Sequence, residues 1–341
     1  MLKLWNSQLF FGLSLVLAII AASCSPVTVE PLPVVTPHPS QELPTIIVQN
    51  PTNAPLPTNI PQPVSTGVSG KVPEFSHVIV IILENEEAGN IIGNSDMPYL
   101  NKLAQQYATL TNYYAVTHPS LPNYIAMTSG DTQGITSDCT NCFVNQTNLM
   151  DLIEKSGRTW KAYMEDMPAA CTLGNVGQYA QKHNPFVYYD DIRTNAARCQ
   201  QNDVPYTQFE SDLKNNQLPA FSWITPNMCN DAHSCPVATV DQWLGPVVDN
   251  ILHSKAFDQN SLLVITFDEG TTAVGCCGLP SKAGGKIVTL LVSKLVKPGF
   301  QDETPYTHYS LLKTIETSWG LQPMLGHAGD AGTTLISSPW E

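Results

Sequence analysis

Beyond the N-terminal segment, two strongly apolar runs stand out, one just after His77, through Leu83, and one at Leu262–Phe267. Both are rich in β-branched residues and predict parallel strands buried on both faces. Shorter runs predict strands at Thr109–Ala115, Thr159–Tyr163, Phe221–Thr225 and Lys286–Ser293. Between them the period changes. Leu100, Leu103 and Ala104 recur at helical spacing across Met97–Tyr107, with Asp96 and Pro98 as start signals. Tyr124-Ile125-Ala126-Met127 predicts a helix that begins just after Ser120 and stops at Gly130. Further helices are expected at Asn148–Lys155, at Val240–His253 with Trp243, Val247, Val248 and Ile251 towards the core, and from His308 through Trp319 to a stop at Gly320. This alternation predicts an α/β fold with a largely parallel central sheet flanked by helices. Met167–Val204 has no clear period and reads as an insertion or lid stapled by a disulfide.

Polar residues that follow apolar strands carry the candidate chemistry. The first strand ends in Glu84-Asn85-Glu86-Glu87, another in Asp268-Glu269-Gly270, and Phe221–Thr225 runs into a polar cluster that includes Asp231 and His233. Strand ends in a parallel sheet share one edge, where open α/β sheets bind ligands, so these groups can converge. An ordinary polar loop accounts for Glu86 and Glu87 but poorly for Glu84. Two adjacent carboxylates at the tip of a buried strand repel each other and lose solvation unless a cation or proton compensates. A helix cap at Asp268 is the competing reading, and the following Gly-Thr-Thr-Ala-Val-Gly makes a poor helix. In Thr117-His118-Pro119-Ser120-Leu121-Pro122-Asn123-Tyr124 two prolines hold one hydroxyl in a stiff turn at a helix start. Ser120 there is either a helix cap or a nucleophile beside a source of anion-binding N–H groups. His233 and His308 each also have a bland reading, solvent-facing for the first and capping or packing for the second.

Composition narrows the function. The chain has 341 residues and a formal net charge of −13, which argues against a nucleic-acid partner. An enzyme of anionic substrates with this charge needs local positive charge, and mostly oxygen donors with one or two imidazoles suit a divalent metal ion. Residues 1–24 read as an export signal: Lys3 precedes an apolar core from Leu9 to Ala22, followed by Ser23-Cys24. Small residues ending in Cys24 resemble a lipoprotein signal, with lipid anchoring as the sole membrane contact; ordinary secretion is the alternative. Residues 25–72, dense in Pro and Thr, read as an extended linker, and 73–341 as the catalytic domain. Eight further cysteines in an exported chain favour disulfides, with Cys171–Cys199 and Cys229–Cys235 as local closures. A zinc site joining Cys139 and Cys142 to Cys276 and Cys277 is the competing reading.

Taken together, Glu84-Asn85, His118–Tyr124, Pro226-Asn227 with Asp231 and His233, Thr266–Gly270 and His308–Leu312 with Ile315-Glu316 resemble the bacterial phosphoesterase family. The resemblance spans roughly His77 to Asp330. That family contains secreted acid phosphatases and phospholipases C and belongs to the alkaline phosphatase superfamily. The resemblance implies an alkaline-phosphatase-like fold and one divalent metal ion held by Glu84, Asn85, Ser120, Asp268 and Glu269. It makes Ser120 the nucleophile and places His118, Asn123, His233 and His308 near the substrate phosphate. The expected activity is hydrolysis of phosphate monoesters through a phosphoserine, on small phosphate esters or phosphoinositide-like substrates; the alternative is a phosphodiesterase or phospholipase C. No sulfatase C-x-P-x-R, G-x-S-x-G elbow or P-loop occurs in the chain.

Overall fold

The computed structural model describes residues 72–340. The export signal, Cys24 and the linker up to residue 71 lie outside the described residues. Among the described residues nine strands form one sheet: β1 Val78–Leu83, β2 Ala108–Tyr114, β3 Trp160–Met164, β4 Asp203–Pro205, β5 Phe221–Thr225, β6 Leu262–Phe267, β7 Lys286–Val292, β8 Gln301–Asp302 and β9 Tyr306–Thr307. The order is β4-β3-β5-β1-β6-β7-β2-β8, with β9 also paired to β2. β1 and β6 sit at the centre, and every one of their residues is buried, as their apolar runs require.

The sheet is mixed at one point. β7 runs antiparallel to both β6 and β2, whereas the other pairings are parallel. Two reversals restore direction, so β2 points the same way as β1, β5 and β6. The carboxyl ends of these four strands therefore share an edge despite the antiparallel insertion.

Helix Pro98–Gln106 starts where its proline predicts, but Asp96 does not cap it. The cap comes from the helix Val237–Leu252 packed against it: the buried Asp241 carboxylate accepts from Tyr99 N and Leu100 N, both at 2.8 Å. A cap supplied across a helix–helix contact satisfies the same orphan N–H groups and leaves no local sequence signal.

The region from Met167 to Val204 is more ordered than its lack of period suggests. It folds into short helical turns, including Asp190–Arg193 and Ala196–Asn202, and its end becomes the edge strand β4. Cys171–Cys199 staples it, and Cys229–Cys235, Cys139–Cys142 and Cys276–Cys277 are also disulfides, so these thiols form no zinc site.

Helix Ser120–Ser129 ends at Gly130, whose φ is +76° and where an added Cβ would meet the Leu325 carbonyl oxygen at 2.1 Å. Only glycine allows both. Helix His308–Trp319 packs alongside and carries Glu316, buried, with one carboxylate oxygen accepting from Leu325 N at 3.0 Å and the other without a partner. Burial pushes the Glu316 carboxyl up to about 8. A folded-state pKa above the unfolded value means stability that is full below about 4.5 and is lost as pH rises to about 8. Glu316→Gln keeps the acceptor for Leu325 and removes the titration. Thermal melts should show the variant more stable than wild type by roughly 5 °C at pH 8 and equal to it at pH 4.5.

Candidate active site

The shared sheet edge gathers four buried carboxylates, Glu84, Asp231, Asp268 and Glu269. Glu84 follows β1 and Asp268-Glu269 follow β6. Asp231 sits in the turn after β5, where its backbone carbonyl accepts from Glu84 N at 2.8 Å. Ser120 arrives from β2 through the loop Ala115–Pro119 and is the first residue of its helix, with Pro119 as N-cap and no side-chain cap. The loop lies against Gly284, where a Cβ would meet the Thr117 carbonyl oxygen at 2.4 Å.

The Ser120 hydroxyl makes no capping bond. It donates to Glu84 Oε2 at 3.1 Å and lies 3.4 Å from Glu269 Oε1. One helical turn on, the Tyr124 hydroxyl donates to the other Glu84 oxygen. The i, i+4 spacing puts both hydroxyls on the helix face that meets β1.

Asn85 has φ +55° and donates its backbone N–H to Asp268 Oδ1 at 3.2 Å. His308 is fully buried; its Nε2–H donates to the Asp268 carbonyl at 2.6 Å, and the Tyr113 hydroxyl lies 3.4 Å from Nδ1. Burial holds its imidazole down at about 4, so it stays neutral and fixes the backbone of the carboxylate pair. Asn123 Oδ1 accepts from Val116 N and Thr117 N, and its Nδ2 donates to the carbonyls of Thr117 and Pro119. All its donors and acceptors are thus committed to the loop, which leaves none for a phosphate. The His118 ring bridges Glu269 Oε2 at 2.5 Å and the Thr272 carbonyl at 3.1 Å. His233 Nε2 accepts from Lys182 Nζ at 3.1 Å.

The structure brings in His183, which the sequence reading left out, and Asp231, which it named without a ligand role. Buried His183 stands 3.1 Å from Glu84 Oε2 and 3.2 Å from Asp231 Oδ2. The three side chains place possible ligand atoms within 4.8 Å of one another. Asp231 follows the strand-end rule already applied to Glu84, so the sequence carried a signal for it. His183 lies in the aperiodic region after Met167, where only the tertiary fold brings it inward.

Electrostatics show the cost of gathering these groups. Burial, with Glu84 and Glu269 nearby, raises the Asp268 carboxyl well above the ordinary range. Burial and Glu84 lift Glu269 to about 7, although His118 opposes them. Burial lifts Asp231 to about 6. For His183 burial acts downward, but the Glu84 and Asp231 charges outweigh it and hold the imidazole at about 9. Asp268 Oδ2, Asp231 Oδ2 and His183 Nε2 are buried without an aligned hydrogen-bond partner. Buried polar atoms are almost always paired, so the two orphaned carboxylate oxygens, set in a knot of negative charge, fit a bound cation.

The phosphoesterase family model matches residues 90–322. The chain belongs to the phosphoesterase family. It is 36% identical over 244 residues to a phosphate-repressible acid phosphatase of Penicillium chrysogenum, covering 70% of this chain and 57% of that one. It is 34% identical over 264 residues to a phosphatidylinositol-3-phosphatase of Mycobacterium tuberculosis, covering 76% of this chain and 82% of the other. With fungal relatives among its matches, the family is not confined to bacteria. The chain spans about three-fifths of the length of the acid phosphatases it matches, 57% to 62% for the first three. A solved structure in the alkaline phosphatase superfamily from Vibrio parahaemolyticus shares the fold, with a TM-score of 0.53 at 15% identity over 80% of this chain and 72% of that one. The phosphoesterase fold places a largely parallel sheet under the carboxylate cluster, as the strand pattern predicts.

Proposed function

We propose that this phosphoesterase hydrolyses phosphate monoesters, in the manner of an acid phosphatase, through a phosphoserine on Ser120. The observation that carries the reading is a buried hydroxyl at a helix start, held 3.1 Å and 3.4 Å from two carboxylates in a pocket with orphaned ligand-type atoms. Glu84, Asp268, Glu269 and the Ser120 hydroxyl, with Asp231 and His183 behind them, fit a divalent cation. Such an ion supplies charge neutralisation for the phosphoryl oxygens and favours the alkoxide form of a nearby hydroxyl.

The chain's own groups then divide the work. In this reading Glu84 or Glu269 takes the Ser120 proton as the Oγ–P bond forms, the ester P–O bond breaks, and the departing oxygen takes up a proton and leaves as the alcohol. Water next cleaves the Oγ–P bond and frees phosphate. Small phosphate esters, phosphoinositide head groups among them, are the substrates this reading favours. Four disulfides among the described residues suit an oxidising compartment, and we place the chain outside the cytoplasm, tethered through Cys24.

The test uses the purified full chain, a panel of divalent metals, p-nitrophenyl phosphate and its bis ester, at acid and neutral pH. Monoester turnover that depends on one of the metals is expected. Preferential cleavage of the diester would replace the monoesterase by a phospholipase C type of activity, and inertness to both esters would overturn the enzyme reading.

A further inference from the structure

Beside Ser120 the helix start is already engaged by an anion. Asp138, on the loop after Gly130, accepts from Leu121 N through Oδ1 at 3.0 Å. Its other oxygen, Oδ2, accepts from Lys182 Nζ at 3.0 Å. Lys182 also donates to His233 Nε2 at 3.1 Å, and its third ammonium hydrogen has no partner among the described residues. These side chains come from three separate segments, and Asp138 ties them to the backbone N–H next to Ser120. Lys182 is 18% exposed and Asp138 is 28% exposed, so both reach solvent.

Chemically the arrangement has the form of a phosphoryl-binding set: a backbone N–H at a helix start and an ammonium converge on a pair of anionic oxygens, with the His233 imidazole holding the ammonium. The oxygens belong to Asp138. We propose that the Asp138 carboxylate stands in for the phosphoryl group, and that Lys182 and Leu121 N are transferred from it to the phosphoryl oxygens when substrate arrives. Lys182 is then the substrate-binding cation that an acidic chain needs at this site, and Asp138 competes with substrate for it. The inference rests on the phosphomonoesterase reading and adds to it the residues that grip the phosphoryl group.

A merely structural Lys182–Asp138 bridge predicts the opposite sign in one variant, which makes the test decisive. Asp138→Asn keeps an oxygen for Leu121 N but removes the competing negative charge. Binding of inorganic phosphate to the metal-supplemented full chain is measured by calorimetry and as a Ki against p-nitrophenyl phosphate, with thermal melts to confirm folding. Asp138→Asn is expected to tighten phosphate about three- to tenfold, and Lys182→Met to weaken it at least about tenfold, with partial rescue by Lys182→Arg. Unchanged or weaker phosphate binding in folded Asp138→Asn overturns the proposal, as does unchanged binding in folded Lys182→Met. Wild type that neither turns over the ester nor binds phosphate overturns the parent reading, and this inference with it. Wild type that turns over while the variants give the wrong signs overturns the inference alone.

Discussion

Ser120→Ala is expected to lower kcat for a phosphate monoester by at least ~10³-fold, with Tm within about 2 °C of wild type. The two halves of this expectation have separate causes. Oγ is the one atom of Ser120 assigned to bond making, so its loss removes the covalent route and leaves only the weaker background of a charged, oriented pocket. The fold draws little from that atom: the Asp138 carboxylate holds Leu121 N at the helix start, and the packing comes from neighbours such as Leu121, Tyr124 and Ile125, all fully buried. Glu84 loses one donor but keeps Tyr124. Acid quenching of wild type during turnover of labelled substrate should trap phosphoserine, and the variant should trap none. Turnover retained by folded Ser120→Ala would remove the nucleophile assignment, whatever the variant's affinity for phosphate.

The central strands and the convergence of their polar ends were legible because buried parallel strands demand long apolar runs, and because chain polarity fixes which end meets the ligand. β1 and β6 are the clear cases, and Glu84, Asp268 and Glu269 followed from them. The antiparallel β7 was not legible: its apolar run differs in no way that periodicity reads, and it left the site intact only because β2 reverses again. The helix Pro98–Gln106 shows a second limit, since its cap is Asp241, more than a hundred residues away in sequence. Asn123 and His308 show a third. The family resemblance set both near the phosphate and said nothing of their hydrogen bonds, which tie one to the loop Val116–Pro119 and the other to the backbone of Asp268. Lys182 and His183 were invisible for the converse reason, because a disulfide-stapled segment without a period carries no signal of where its side chains end up.

Asp268→Asn should separate the cost of the carboxylate cluster from its use. In the metal-free protein burial, Glu84 and Glu269 all oppose ionisation of Asp268, and its folded-state pKa is raised. Glu269, raised to about 7, behaves alike. For both groups the sign is that of a proton held more tightly in the folded state. Metal-free wild type should therefore lose stability as pH rises from about 4 through about 7. The variant keeps an oxygen to accept from Asn85 N, loses one charge and places a donor where Oδ2 had no partner. Without metal at neutral pH it should melt at or above the wild-type temperature, with a flatter pH profile. A saturating divalent cation reverses the order. It favours the ionised carboxylates and binds only the folded chain, which at a thousand times Kd corresponds to about 4 kcal/mol and roughly 10 °C in wild-type Tm. Asp268→Asn should recover less than half of that shift and lose most monoester turnover. Melts with chelator and with each metal decide the matter: an equal metal shift in both proteins would exclude Asp268 as a ligand, and a metal-free variant well below wild type would show that the cluster is not under electrostatic strain.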